Sequence, residues 1–218
     1  VTGGVLVLPV TRFPHLDTRA WRGVLDAVRA LQPRLVIHTG DILDSKTGTR
    51  AYQVVELAIR EVVQPLRTSF SGGIVFHQGR TDTALANSLE ANLPDLLQYE
   101  RFGIEEAGEF YEFSPGWESG YSNVSGENQA LKLARSRDHS VVLGGTCRAG
   151  IRSQIKGSDL ALSGVEVGHL LDRKSPVFQA ERHPGWNKSL VWFPKVGSPR
   201  IIPIGAGRFT IEEKEFTF

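Results

Sequence analysis

Residues 36–46, VIHTGDILDSK, run from an apolar strand directly into Gly40–Asp41. A carboxylate at the C-terminal tip of a strand stands where α/β proteins commonly hold a metal or a phosphate, since parallel strands open their ligand crevice at that end. The fold and the function both turn on what surrounds Asp41. Upstream, GVLVL (4–8) is an apolar run of buried-strand length. It is followed by DTRAWRGVLDAVRALQP (17–33), where Trp21, Val24, Leu25, Val28 and Leu31 recur at helical spacing. Asp17 or Thr18 can cap that helix and Pro33 can end it. RLVIHTGD (34–41) is then a second strand, and strand–helix–strand in this order predicts a right-handed βαβ unit with parallel strands.

Downstream, residues 50–66 carry a wide apolar helical face and GGIVFHQG (72–79) reads as a third strand. DTALANSLEANLPDLLQ (82–98) reads as a helix interrupted at Pro94, GEFYEFSPG (108–116) as a strand, GENQALKLARS (126–136) as a short helix and HSVVLGGT (139–146) as a buried strand. Beyond residue 150 the pattern changes to short β segments: DLALSGVEVGHLL, KSLVWFPK, PRIIPIG and GRFTIEEKEFTF. Gly157–Ser158, Gly197–Ser198–Pro199 and Gly205–Ala206–Gly207 are the turn signals between them. An α/β stretch (1–150) and a β-rich closing stretch (151–218) together predict one domain with two packed sheets and helices outside.

Composition narrows the function classes. With 40% hydrophobic and 22% charged residues the chain has the balance of an ordinary globular domain. A net charge of +1 gives no global attraction to nucleic acid or anionic lipid. The single cysteine, Cys147, excludes an intramolecular disulfide. No apolar run reaches membrane-spanning length and no basic–apolar leader opens the sequence, so neither a membrane partner nor signal-directed secretion is expected.

Four loops at strand ends, LPVTRFPHLD (8–17), HTGDILD (38–44), HQGRTD (77–82) and LGGTCRAG (143–150), occur in an order that resembles the calcineurin-like metallophosphoesterases, particularly their phage-encoded branch. SGVEVGHLLD, PGWNKS and GAGRFTI extend the resemblance through the tail. The resemblance implies a four-layer αββα sandwich of two mixed sheets flanked by helices. It also implies two divalent cations, bridged by a carboxylate and a hydroxide, that hold and attack a phosphate ester.

The expected ligands, however, are exchanged. The family pattern places aspartate and histidine at 10 and 12, asparagine and histidine at 80 and 81, and histidines at 145 and 147; here stand Val10, Arg12, Arg80, Thr81, Gly145 and Cys147. A further family histidine is expected near GWESGYSN, yet none occurs between His77 and His139. Asp41, the expected bridging carboxylate, remains, with Asp44 in the same loop and Asp82 at the end of the third. Guanidinium groups coordinate no cation and repel approaching ones.

These exchanges predict a phosphoesterase fold without catalysis: no catalytic residues, no metal, and a vestigial pocket formed by Val10, Arg12, Asp41, Asp44, Arg80, Thr81, Asp82, Gly145 and Cys147. Arg12 and Arg80 are expected to neutralise Asp41 and Asp82 as a plug; the alternative keeps the pocket open, with both arginines gripping a phosphate-containing ligand. The competing class is a divergent phosphoesterase for nucleotide or protein phosphoesters using Mn, Fe or Zn, with His15, His77, Asp17, Asp41 and Asp44 as the material for a rebuilt site. His38 and His169 read as packed histidines and Cys147 as a buried, inert thiol. The tail's Trp186, Trp192, Phe193 and Phe209, interleaved with basic residues, read as strand core, so nucleic acid is not an expected partner. A protein partner or self-association is expected, in the bacterial host cytoplasm or on a virion.

Overall fold

The computed structural model describes residues 3–46, 48–114, 116–122, 128–157, 160–181 and 183–218. Of the positions named above, Pro115, Asn123, Gly126, Glu127, Ser158 and Asp159 lie outside the described residues, as does Arg182 among the tail's basic residues. Among the described residues, thirteen strands and eight α-helices follow one another. They begin as β1 Val5–Leu8, α1 Thr18–Leu31, β2 Leu35–His38, α2 Ala51–Ala58, α3 Gln64–Ser69, β3 Gly73–Phe76, α4 Arg80–Ser88, α5 Leu93–Leu96, α6 Tyr99–Phe102 and β4 Ile104–Glu106. Then come β5 Phe110–Ser114, β6 Trp117–Tyr121, α7 Gln129–Arg137, β7 Ser140–Gly144, β8 Ala149–Lys156, β9 Leu160–Val167 and α8 Pro176–Glu181. β10 Ser189–Phe193, β11 Arg200–Pro203, β12 Arg208–Ile211 and β13 Lys214–Thr217 close the chain.

Two mixed sheets form. The first has the order β11-β10-β1-β2-β3-β4, the second β5-β6-β7-β9-β8, and β12 and β13 pair as a hairpin. β1, β2, β3 and β4 are parallel, as the βαβ reading predicts, while β10 runs antiparallel to β1. Val5, Val7, Ile37, Val75, Val142, Val165 and Val191 form the core between the sheets. The opposite face of the first sheet is covered by Trp21, Val24, Val28, Val62 and Leu66 of α1 to α3. Ala130 and Ala134 of α7 cover the outer face of the second sheet through Val141 and Leu143. Alternate residues of each strand thus serve two apolar layers, which is why these strands read as unbroken hydrophobic runs. The result is the expected four-layer αββα sandwich of two mixed sheets flanked by helices.

Local chemistry sets the helix ends. Asp17 is the N-cap of α1, its carboxylate accepting from the amides of Arg19 and Ala20, and Gln32 ends that helix in the left-handed region at φ 43°. Between α2 and α3, residues Ile59–Val63 form a π-helical turn immediately before Pro65. Proline cannot donate and its ring crowds the preceding turn, so a widened turn there accommodates it.

The expected interruption at Pro94 falls earlier. α4 ends at Ser88, and Pro94 lies in the first turn of α5, where its missing amide costs nothing. The tail divides between both sheets: β8 and β9 join the second, β10 and β11 the first, and the β12–β13 hairpin lies against α1. At that contact a Cβ on Gly23 would stand 2.7 Å from the Phe218 ring, so the helix approaches the hairpin only because position 23 has no side chain.

Candidate functional site

The parallel strands bring the four motif loops together at their C-terminal ends. After β2 the chain turns sharply: Gly40 has φ 89° and Asp41 φ 51°, a conformation that glycine and aspartate tolerate best. The turn aims the Asp41 carbonyl at the loop after β1, where it accepts from the amides of Thr11 (3.2 Å) and Arg12 (2.8 Å). The third loop approaches so closely that a Cβ on Gly79 would lie 2.2 Å from the Asp41 amide nitrogen. The loop after β7 does the same, since a Cβ on Gly144 would lie 2.2 Å from Thr39 Oγ1.

Asp41 is 7% exposed and each of its carboxylate oxygens has a hydrogen-bond donor. Oδ1 accepts from the Thr81 amide at 2.9 Å and Oδ2 from the Tyr121 hydroxyl at 2.9 Å; the Thr81 hydroxyl, 2.9 Å from Oδ1, makes its shorter contact with the Leu43 carbonyl at 2.6 Å. Burial, then the charge of Asp41, raises the Tyr121 pKa, so this phenol remains a donor. Tyr121 was not among the sequence candidates. It sits in GWESGYSN, where the resemblance puts a histidine, and a phenol there is the signal that an acceptor at Asp41 had found another donor.

Arg12 makes different bonds from those expected. Its guanidinium, with the residue 5% exposed, donates through Nε (3.1 Å) and Nη2 (2.8 Å) to Asp44 Oδ2, and through Nη1 (2.6 Å) to Glu181 Oε2. Lys46 Nζ meets the other oxygen of Glu181 at 2.9 Å, and His15 Nε2 stands 3.9 Å from Asp44. Desolvation works against the Glu181 charge, but the hydrogen bonds and charges of Arg12 and Lys46 outweigh it and hold this carboxyl at about 2. Glu181 and Lys46 were also missing from the candidates. Lys46 closes the opening stretch, whereas Glu181, at the end of the short α8, had no sequence signal.

The expected neutralisation of Asp41 and Asp82 by Arg12 and Arg80 is therefore corrected. Arg80 is exposed, at the first position of α4, and no ion pair holds it among the described residues. Asp82 is fully buried and is satisfied by backbone: Oδ1 accepts from the Leu43 amide (2.7 Å) and Oδ2 from the Gly79 amide (2.9 Å). Burial and then the charge of Asp41 push Asp82 up to about 7, against these amides, which favour the carboxylate.

The remaining candidates lie around this cluster. Val10 is buried and its carbonyl accepts from the Leu170 amide. A Cβ on Gly145 would lie 2.1 Å from the Ser122 carbonyl oxygen, and φ there is 84°. Cys147 is 5% exposed, and burial, reinforced by Asp41, pushes its thiol up to about 12, so it is neutral near pH 7. His38 is packed: Nδ1 accepts from the Gly40 amide, Nε2 meets Thr11 Oγ1 at 3.2 Å, and the ring lies beside Phe76. His77 Nε2 bonds Ser119 Oγ at 2.8 Å, while His169 Nδ1 accepts from the Leu171 amide beside Phe178 and Trp186. Asp17 serves α1 and pairs with Lys188. Trp192, Phe193 and Phe209 are buried and Trp186 is half-buried.

The donor set does not fit a pair of divalent cations. Both oxygens of Asp41 are committed, Arg12 occupies the first-loop position with a cation of its own, and positions 10, 81 and 145 supply no imidazole or carboxylate. Among the described residues, no group of three or more His, Cys, Asp or Glu is placed to share a metal ion.

No family model matches the sequence. Two curated relatives, the Gene 54 proteins of Mycobacterium phages L5 and D29, are each 25% identical to it over 245 aligned residues, covering 95% of this chain and 96% of theirs. One crystal structure, 8% identical, aligns with 94% of this chain and 100% of its own at a TM-score of 0.55, a likeness of fold. A single mutant of Vps29 from Entamoeba histolytica (14% identity, 99% of each chain, TM-score 0.47) also aligns. So does the nuclease MPE of Pseudomonas putida (12% identity, 98% of this chain and 86% of its own, TM-score 0.48).

Proposed function

We propose that this protein is a phosphoesterase-fold scaffold without metal-dependent hydrolysis, retained for a structural or binding role in a phage life cycle, in the host cytoplasm or on the virion. The observation that carries this reading is the sealing of Asp41: the carboxylate that would bridge two cations is instead bonded to Thr81 and Tyr121. A bridging ligand must turn its lone pairs toward the metals, and here the Thr81 amide holds one oxygen and the Tyr121 hydroxyl the other. The phage setting is supported by the two phage relatives. Of the two pocket states, the plugged one is favoured over an open phosphate grip. Arg12 is already bound on two sides by Asp44 and Glu181, and Arg80 is exposed with no ion pair among the described residues.

Protein purified with manganese, iron and zinc salts present should carry far less than one equivalent of any of them by elemental analysis. It should turn over aryl phosphate monoesters and diesters no faster than an Asp41→Asn variant does. Stoichiometric Mn, Fe or Zn, with turnover that Asp41→Asn abolishes, would establish the enzyme reading in its place.

A further inference from the structure

We infer that the outer edge of β8 is a self-association surface: two copies of this chain pair their β8 strands antiparallel about a two-fold axis at Ser153, joining two five-stranded sheets into one. Open sheet edges invite pairing, and proteins blunt them by shortness, bulges, proline or charge. Three of the four edges of the two sheets are blunted. β4 is three residues long, β11 is four residues long and ends in Pro203, and the register of β5 shifts between Glu112 and Ser114. β8 is neither short nor bulged nor interrupted by proline, and its two cations, Arg152 and Lys156, are tied to the α7 side, Arg152 Nε donating to Asn128 Oδ1 and Lys156 Nζ meeting Asp138 and the Arg135 carbonyl. Its eight residues keep continuous register with β9, from Ala149 opposite Val167 to Lys156 opposite Leu160, with no proline and no bulge.

The side chains choose both the occupant and the register. Ile151, Ser153 and Ile155 share one face of β8, while Arg152, Gln154 and Lys156 share the other. Ile151 is half-buried against the layer between the sheets, where Ile201 of the neighbouring β11 also packs. Ile155, four residues on, is 67% exposed.

A two-fold axis perpendicular to the sheet keeps each face on its own side, so opposed residues must have the same parity. Centred on Arg152, the axis sets that arginine against its own copy. Centred on Gln154, it sets Arg152 against the second copy's Lys156. Both oppose like charges directly. Centred on Ser153, it sets Arg152 against Gln154 and Lys156 against Gly150. The exposed Ile155 of each copy then falls opposite the half-buried Ile151 of the other. This register covers the apolar surface and opposes no cations, and the interface is isologous, as a closed dimer requires. It is independent of the metal reading, since it uses no property of Asp41.

Sedimentation equilibrium on the full chain should show a concentration-dependent dimer. Ile155→Lys, at an exposed position, should leave the thermal melt of the dilute protein unchanged and weaken the dimer by about tenfold or more. Under mild oxidation Ser153→Cys should form a chain-to-chain disulfide rapidly, because the axis places position 153 against itself, while Gln154→Cys should not. A monomer at every concentration, or a dimer that Ile155→Lys leaves intact, overturns the proposal. Faster cross-linking at 154 than at 153 overturns the register.

Discussion

Arg12→Met should destabilise the fold by about 3–5 kcal/mol near neutral pH, the usual cost of removing one partner of a buried ion pair. Asp44 has a side-chain exposure of 1%, and without Arg12 it keeps only the Lys46 amide (2.7 Å) and His15 at 3.9 Å. Methionine restores most of the volume but leaves the carboxylate charged in a low-dielectric setting. Arg80→Met should shift stability by less than about 0.5 kcal/mol, because that side chain is exposed and no ion pair holds it among the described residues. Adding Asp44→Leu to Arg12→Met should recover much of the loss, since an apolar pair of matched size replaces a buried ion pair at little cost. His15 refines the expectation. Burial lowers its pKa first, Asp44 raises it, and Arg12 lowers it again. Removing Arg12 therefore frees His15 to protonate beside Asp44, and the defect should shrink in mildly acidic buffer. Urea midpoints of the four proteins at two pH values decide the matter; equal midpoints for Arg12→Met and wild type would remove the ion-pair plug from the account.

The contrast between the two arginines marks where sequence reasoning stopped. Strands β1, β2, β3 and β7 and helix α1 were legible because burial on two sides writes unbroken apolar runs and a capped helical period into the chain. β8 was not, because an edge strand with exposed residues on both faces has no hydrophobic alternation; AGIRSQIK reads as polar loop. β4 and β6 were also missed. β4 is three residues long, and β6 mixes a half-buried Trp117 and Tyr121 with polar residues. At the site, motif order located Asp41, Thr81, Asp82, Gly145 and Cys147 around one point, since parallel strands must bring their C-terminal loops together. The bonding partners were beyond reach. Whether Arg12 turns to Asp41 or to Asp44 depends on α8 delivering Glu181 from far along the chain, and no local pattern encodes that meeting.

Acidification should unfold this protein before its carboxylates are fully protonated. Burial depresses His38 to about 3, with His77 adding to it; it depresses His77 to about 4 and His169 to about 3. A histidine whose folded pKa is lowered stays neutral in the native state, while the unfolded chain takes up a proton below about 6.5. Its stabilising contribution is complete above that pH and is lost as pH falls, at about 1.4 kcal/mol per pH unit for each histidine. Asp82 acts in the opposite sense. Raised to about 7, it is protonated in the folded state and ionised in the unfolded one between about pH 4 and 7, so acidification there returns about 1.4 kcal/mol per unit.

Three protons against one leave a net loss of about 3 kcal/mol per pH unit below 6.5. A domain stability of about 5–15 kcal/mol is then exhausted within a few units. Below about pH 4 the paired Glu181 and Asp17, both held below their ordinary values, add to the loss. Unfolding free energies from urea titrations between pH 6.5 and pH 4.5 should therefore fall with a slope of about two net protons. His77→Gln should reduce that slope by one, because the amide can still reach Ser119 without titrating. A flat profile from pH 7 to pH 5 would mean that these imidazoles protonate in the folded protein. The packing of His38 against Phe76 and the bond of His77 to Ser119 oppose such protonation.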